Sequence, residues 1–138
     1  MNKWTRRMVW AAAIISVFAL SGCGGDDGGG DSNGIAGRWV GDFNNKEASH
    51  SFDATFSGSG NVDLQNGPDN WNATITVSGS EIQINYSYYD DEYDETETGT
   101  IYGTLSSDKK TITFSRVTFC RPSEGNHDWD AWGTIQKQ

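Results

Sequence analysis

Hydrophobic and polar residues alternate with a period of two along most of the chain after Ile35. The stretches 50–56 (HSFDATF), 71–77 (WNATITV) and 81–88 (EIQINYSY) each place their apolar residues at every second position. Such alternation is typical of strands that bury one face and expose the other. The pattern predicts strands near 37–43, 50–57, 61–65, 71–77, 81–88, 98–105, 111–119 and 130–136.

The segments between these predicted strands are rich in glycine, serine, asparagine and aspartate, and most are too short to hold a helix. Short connections place consecutive strands side by side, which gives an antiparallel meander. A meander without covering helices removes its edges by closing on itself. We therefore predict an all-β fold, a small antiparallel up-and-down barrel of about eight strands, with a two-sheet sandwich as the alternative. Arg116 interrupts the alternation and predicts a β-bulge.

The first residues have a different composition from the rest of the chain. Lys3, Arg6 and Arg7 precede an apolar run of 13 residues, Met8 to Leu20. A helix of that length covers roughly 20 Å, whereas bilayer hydrocarbon is about 30 Å thick. A basic start followed by a short apolar run and small residues indicates an export signal rather than a membrane span.

The end of this segment reads LSGC. It resembles the lipobox of bacterial lipoproteins, with Leu20, Ser21 and Gly22 at the recognition positions and Cys23 at the lipidation position. The resemblance implies removal of residues 1–22, a diacylglycerol on the Cys23 thiol and usually a further acyl chain, such as palmitate, on its amine. Two or more acyl chains anchor a protein durably. The alternative is a disulfide between Cys23 and Cys120.

Residues 24–34 (GGDDGGGDSNG) contain no apolar side chain that could enter a core. Such a segment is expected to be a disordered, flexible tether with a reach of roughly 20 Å. The predicted organisation is a signal peptide at 1–22, an acylated cysteine and tether at 23–34, and a barrel domain at 35–138. Glycine rather than aspartate follows Cys23, which in the lipoprotein resemblance implies the outer membrane.

The chain is acidic, with 10 basic and 19 acidic residues and a formal net charge of −9. Removal of the predicted signal takes three bases and no acids, which leaves seven bases against 19 acids and a net charge of −12. Nucleic acids and anionic lipid head groups would both repel this surface. We therefore expect no nucleic-acid partner, and contact with the membrane through the lipid anchor.

The predicted barrel begins with Gly37, Arg38 and Trp39. This Gly-x-Trp pattern resembles the first strand of lipocalin-like barrels. The resemblance implies that Trp39 closes one end of the barrel and that the interior binds a small apolar ligand. The domain has 104 residues and lacks an evident terminal helix, so it is shorter than a typical lipocalin. Other small meander barrels, including avidin-like ones, fit the same pattern.

Five aromatic residues are candidates for contact with a ligand or partner. Trp71, Tyr86 and Tyr88 fall on inward faces by the alternation, where large rings either fill a small barrel or line a pocket. Filling is the commoner role. Trp129 and Trp132 fall on opposite faces, so at most one belongs to the core and the other is a candidate rim contact.

The acidic tract 88–99 (YYDDEYDETETG) holds six carboxylates between two predicted strands. Clustered carboxylates can bind calcium, but this tract lacks the spacing and the central glycine of an EF-hand loop. We predict a solvated acidic hairpin tip and no metal site. Its charges would also discourage pairing with other chains.

Cys120 has no partner once Cys23 is lipidated, and His127 is the nearest base along the chain. A catalytic thiol needs an oriented histidine and a third group, and no known signature surrounds FCRPSEG. We expect a structural thiol packed against the barrel, with intermolecular pairing and catalysis as the alternatives. The sequence therefore predicts neither an enzyme nor a cofactor-binding protein.

Two functions remain. In the first, a lipid-anchored protein of the bacterial cell envelope binds a small apolar ligand inside its barrel, as the lipocalin resemblance implies. In the second, a filled barrel acts as a structural or interaction module whose outer surface recognises an envelope protein or glycan. The volume of the barrel interior distinguishes them, because an open cavity of several hundred Å³ favours a ligand binder.

Overall fold

The computed structural model describes residues 34–138, so the predicted signal peptide, Cys23 and most of the tether lie outside the described residues. In that part of the chain no helix is long and apolar enough to cross a membrane. Residues 34–138 form nine strands: β1 (Gly37–Asn45), β2 (Ser49–Phe56), β3 (Asn61–Leu64), β4 (Asn72–Ser78), β5 (Glu81–Asp90), β6 (Glu95–Leu105), β7 (Thr111–Arg121), β8 (Gly125–Trp132) and β9 (Thr134–Lys137).

Each strand from β1 to β7 pairs antiparallel with the next one along the chain. The sheet closes because β1 pairs with β2 on one side and with β8 and β9 on the other. The prediction of an all-β meander barrel is therefore confirmed, and the two-sheet sandwich was the wrong alternative. Closure leaves no long unpaired edge, which is the advantage of a barrel over an open sheet.

The last predicted strand, 130–136, is divided in the structure. β8 pairs with the second half of β7 and β9 with its first half, while both pair with β1. The division falls at Gly133, whose φ of +112° favours glycine. A Cβ there would lie 2.3 Å from the backbone oxygen of Asp42. β8 and β9 thus occupy one strand position in the barrel. This strand is interrupted at Gly133, where its backbone approaches that of β1 closely.

The bulge predicted at Arg116 is present. Tyr102 pairs with Arg116, whereas the next residue of β6, Gly103, pairs with Phe114, so Ser115 is the extra residue. This insertion keeps both Phe114 and Val117 buried although they are three positions apart. A bulge thus preserves the inward alternation on each side of it.

Trp39 is fully buried at the end of the barrel where the described chain begins. Its Nε1 donates a hydrogen bond of 2.7 Å to the backbone oxygen of Ile35, and its ring stacks on Phe56. We call this the closed end; it also contains the β2–β3, β4–β5 and β6–β7 turns and the end of β9. The other four hairpin connections lie at the opposite end, which we call the open end. The antiparallel order of the strands fixes this division.

Candidate functional site

A pocket of about 510 Å³, which we call the cavity, lies at the open end of the barrel and is widely open to solvent at its mouth. Its deeper lining is apolar and includes Phe52, Ile101 and Val117, whose side chains belong to the core. Polar residues of the β1–β2 and β3–β4 connections, such as His50 and Asn66, lie at its mouth. The cavity therefore combines an apolar interior with a polar entrance, as small-molecule sites usually do.

One carboxylate is buried in the wall of this cavity. Glu97 is 5% exposed and is the only charged residue classed as buried among residues 34–138. Its Oε1 accepts a hydrogen bond of 2.8 Å from Tyr86 Oη, and its Oε2 accepts one of 3.2 Å from Tyr88 Oη. Arg121 Nε donates a third, 2.7 Å long, to Oε2. We call these four residues the Glu97 cluster.

Strand register brings the cluster together. Tyr88 of β5 lies directly opposite Glu97 of β6, and Tyr86 lies opposite Gly99. Arg121 follows Cys120, whose partner on β6 is Thr98, so the guanidinium approaches Glu97 from the other side. Residues that face each other across antiparallel strands have neighbouring side chains on one face of the sheet.

The ring of Tyr86 occupies space that only a glycine leaves free. A Cβ on Gly99 would lie 2.6 Å from the Tyr86 ring and 2.7 Å from the backbone oxygen of Thr118. In this position the Tyr86 ring stacks on Trp71, with centroids 4.9 Å apart and planes inclined by 11°. Tyr88 follows at 6.3 Å with an inclination of 18°. The three rings form an aromatic stack along one wall of the cavity.

The surroundings of the cluster shift the pKa values of its members. Burial and the neighbouring Glu97 carboxylate raise the pKa of Tyr88 to about 12 and that of Tyr86 further above its usual range. Burial works to lower the pKa of Arg121, but its hydrogen bond to Glu97 and the charge of that carboxylate outweigh burial and raise it. At neutral pH both tyrosines are therefore protonated donors, and Arg121 is a cation.

Trp71 carries a buried polar atom without a hydrogen-bond partner. Its Nε1 is sealed from solvent and has no acceptor within reach. A buried unpaired donor costs roughly 1–3 kcal/mol. The stacking of the Trp71 indole on Tyr86 and its packing against the core must offset this cost.

The predicted aromatic contacts divide between the cavity and the outer surface. Trp71, Tyr86, Tyr88 and Trp129 all line the cavity. Trp129 packs edge-on against Phe119 at 4.6 Å, and Lys46 Nζ lies 4.2 Å from its ring centroid. Trp132 is not among the lining residues and is 52% exposed. The two tryptophans are three positions apart in the strand, an odd number, and this explains why they lie on opposite faces.

The acidic tract is only partly a solvated tip. Asp91, Glu92 and Asp94 lie exposed in the β5–β6 turn. Glu95 accepts hydrogen bonds from the backbone nitrogen and hydroxyl of Ser123 in the neighbouring turn. For Glu97 the prediction of a solvated position was wrong. Within residues 34–138, no three histidine, cysteine or acidic side chains are grouped as metal ligands.

Cys120 lies on β7 between Thr98 of β6 and Asn126 of β8, and it is half-buried. His127 pairs instead with Phe119 and stacks on its ring at 4.7 Å, so it occupies the face opposite to Cys120. Nε2 of His127 lies 3.3 Å from a carboxylate oxygen of Glu124 but lacks hydrogen-bond geometry. The thiol and the imidazole are therefore not arranged as a nucleophile and its base.

Glu97 and Arg121 were not among the site residues predicted from sequence. The alternation could have found both. Counting back by two from the inward Ile101 reaches Gly99 and then Glu97, and counting forward by two from Val117 reaches Phe119 and then Arg121. A carboxylate and a guanidinium on inward positions of adjacent strands predict a buried pair.

Residues Leu20 to Cys23 lie outside the described part of the chain, so the lipidation motif stays a prediction. Comparison with protein-family models, with curated proteins and with solved structures found no significant match for this chain. The cavity and the Glu97 cluster are therefore the features from which a function can be inferred.

Proposed function

We propose that this protein is a lipid-anchored component of the bacterial cell envelope that binds a small, largely apolar ligand inside its barrel. The observation that carries the proposal is the cavity of about 510 Å³ at the open end. Ligand pockets in proteins typically measure about 300–1,000 Å³. A barrel that served only as a scaffold would more economically fill this space with side chains.

The chemistry of the lining supports the same function. Apolar side chains form the interior of the cavity, and burying a ligand against them contributes about 25 cal/mol per Å² of apolar surface. The polar Glu97 cluster occupies one wall, where hydrogen bonds would orient the ligand. Such a combination of an apolar body and a few placed polar groups gives both affinity and orientation.

The path of the chain is compatible with anchoring. Gly34, the first described residue, lies at the closed end beside Lys109 and Lys137. The predicted tether would therefore join the barrel at the end opposite the mouth of the cavity. A ligand could enter without displacing the attachment point.

Native mass spectrometry of the mature protein, purified from its own envelope, tests this proposal. We expect a bound mass that is lost on solvent extraction and taken up again from an envelope extract. Ala48 lines the mouth, so Ala48→Trp should obstruct it and lower the occupied fraction. The matched control is Ser107→Trp in the exposed β6–β7 turn at the closed end. An empty wild-type protein, or equal occupancy in both variants, would contradict the proposal.

A second candidate function rests on Trp132. This side chain is one of two large hydrophobic side chains that are exposed among residues 34–138, the other being Tyr93. Exposed aromatic residues are common at sites of protein recognition. If the outer surface recognises an envelope protein or glycan, crosslinking in intact envelopes should trap one recurrent partner. That product should disappear in Trp132→Ser and persist in Ala48→Trp.

A further inference from the structure

We propose that the cavity selects ligands whose polar group donates hydrogen bonds and bears no negative charge, with amines preferred over neutral alcohols and carboxylates bound least tightly. This inference rests on the proposed ligand-binding function and specifies its ligand class. Three features of the lining support it: the hydrogen-bonding capacity left at the tyrosines, the charge balance at Arg121, and the aromatic stack.

The first feature is that both tyrosine hydroxyl protons are already used. Tyr86 donates to Oε1 and Tyr88 to Oε2 of the same buried carboxylate. A phenolic hydroxyl has one proton, so each oxygen retains only acceptor capacity. A ligand group that meets these oxygens must bring the proton itself, as an ammonium or an alcohol does and a carboxylate does not.

The second feature is that the charge of Arg121 is already balanced. Its Nε lies 2.7 Å from Glu97, and its Nη1 lies 3.4 Å from Glu124. One guanidinium thus faces two carboxylates, so a ligand carboxylate could accept hydrogen bonds from its remaining N–H groups but would gain little charge compensation. The charged residues that line the cavity are Glu47, Glu97 and Arg121, which together carry a formal charge of −1. An anionic ligand would be repelled by this lining.

The third feature is the aromatic wall. Trp71, Tyr86 and Tyr88 stack along one side of the cavity, and Trp129 and Phe119 line another part of it. The faces of Tyr86 are covered by Trp71 and Tyr88, so an ammonium group can reach ring faces only at the two ends of the stack. There the ring quadrupole attracts it, and the attraction grows where water is excluded. Lys46 Nζ already occupies such a position, 4.2 Å from the Trp129 centroid at the solvent side.

The exposed acids of the β5–β6 turn also favour cationic ligands over anionic ones. Asp91, Glu92 and Asp94 lie at the open end, the end at which the ligand enters. Acidic side chains beside an entrance raise the local concentration of cations and lower that of anions. The turn is therefore expected to affect the rate of capture, whereas the cavity lining determines the preference.

Three probes that share a naphthalene ring test the inference: 1-naphthylmethylamine, 1-naphthalenemethanol and 1-naphthoate. Equilibrium dialysis against the mature lipoprotein in zwitterionic nanodiscs, corrected with empty nanodiscs, gives the three dissociation constants. We expect the amine to bind at least about tenfold more tightly than the carboxylate, with the alcohol between them. Glu97→Gln and, separately, Tyr88→Phe should reduce this ratio. Asp128→Asn, in a solvent-exposed ion pair outside the cavity, should not change it.

The outcomes separate this inference from the proposed function. Binding of the carboxylate as tightly as the amine would overturn the inference and leave ligand binding intact. Failure of all three probes to bind would overturn the inference, and the native-mass measurement with Ala48→Trp would then decide the proposed function independently. An unchanged ratio in both Glu97→Gln and Tyr88→Phe would also overturn it. If one of these variants fails to fold, the ratio in the other decides.

Discussion

Nε of Arg121 lies 2.7 Å from Oε2 of Glu97, and this buried carboxylate also accepts hydrogen bonds from the hydroxyls of Tyr86 and Tyr88. Taking a charged pair out of water is costly unless its remaining hydrogen-bonding capacity is satisfied. Here three donors satisfy the carboxylate. The cluster thus places fixed polar groups in the wall of an otherwise apolar cavity, at the cost of making the fold depend on each of its members.

Glu97→Gln should destabilise the protein. The substitution leaves the partly buried Arg121 without its closest negative charge, and it weakens two tyrosine hydrogen bonds. We expect a loss of about 1–3 kcal/mol in the free energy of unfolding, measured by urea denaturation. The control is Asp128→Asn, which breaks the exposed pair with Arg116 and should have little effect. A loss for Glu97→Gln no larger than that of the control would contradict the structural role of the cluster.

Alkaline pH should destabilise the fold through the two cluster tyrosines. Their pKa values are raised, that of Tyr88 to about 12 from an ordinary 10.0. From pH 10 upward the unfolded chain therefore loses phenolic protons that the folded protein retains. The free energy of unfolding is unaffected by these groups below pH 10 and falls as the pH rises towards about 12.

Urea denaturation at several pH values in this window measures the effect. The double variant Tyr86→Phe/Tyr88→Phe should flatten the decline relative to the wild type. A phenolate absorbance titration should show two late steps in the wild type that the double variant lacks. If all five tyrosines of the wild type ionise together near pH 10, the assigned environment of the cluster is wrong.

Trp39→Phe should destabilise the closed end. The substitution removes the 2.7 Å hydrogen bond to the Ile35 carbonyl and leaves a void in a fully buried position. We expect a loss of roughly 1–3 kcal/mol, visible as a lower midpoint of urea unfolding. The exposed Trp132 provides the matched substitution, and Trp132→Phe should change stability by less than about 0.5 kcal/mol. Equal effects at the two positions would contradict a closing role for Trp39.

Lipidation should depend on Cys23 alone. Cells that express the wild type and are grown with radioactive palmitate should label the protein, and Cys23→Ala should reduce the label to background. Cys120→Ser is the control and should remain labelled. Persistent labelling of Cys23→Ala would contradict the anchoring proposal, whatever the barrel binds.

Much of the barrel could be predicted from sequence because each strand buries one face. That single constraint places Ile82, Ile84, Tyr86 and Tyr88 on one side of β5, and it locates the bulge beside Arg116. The break at Gly133 was not predicted. It depends on the approach of the Asp42 backbone from β1. The two residues are about 90 positions apart, so a local sequence pattern cannot predict their contact.

The site was harder to predict than the fold. Glu97 belongs to a run of acids, and a run of acids usually indicates solvated surface. Its burial depends on the register that places it opposite Tyr88 and beside Arg121. The cavity volume was also inaccessible from sequence, because it depends on how strand tilt and stagger set the width of a closed barrel.

Titration of the mature, ¹⁵N-tryptophan-labelled protein with 1-naphthalenemethanol tests whether the barrel binds a ligand in its cavity. The indole N–H resonances of four tryptophans report on separate places: Trp71 and Trp129 on the cavity, Trp39 on the closed end, and Trp132 on the outer surface. We expect saturable shifts of the Trp71 and Trp129 signals, with Trp39 and Trp132 unchanged. Shifts confined to Trp132, or no shift at Trp71 and Trp129 from a probe that binds the protein in dialysis, would contradict ligand binding inside the barrel.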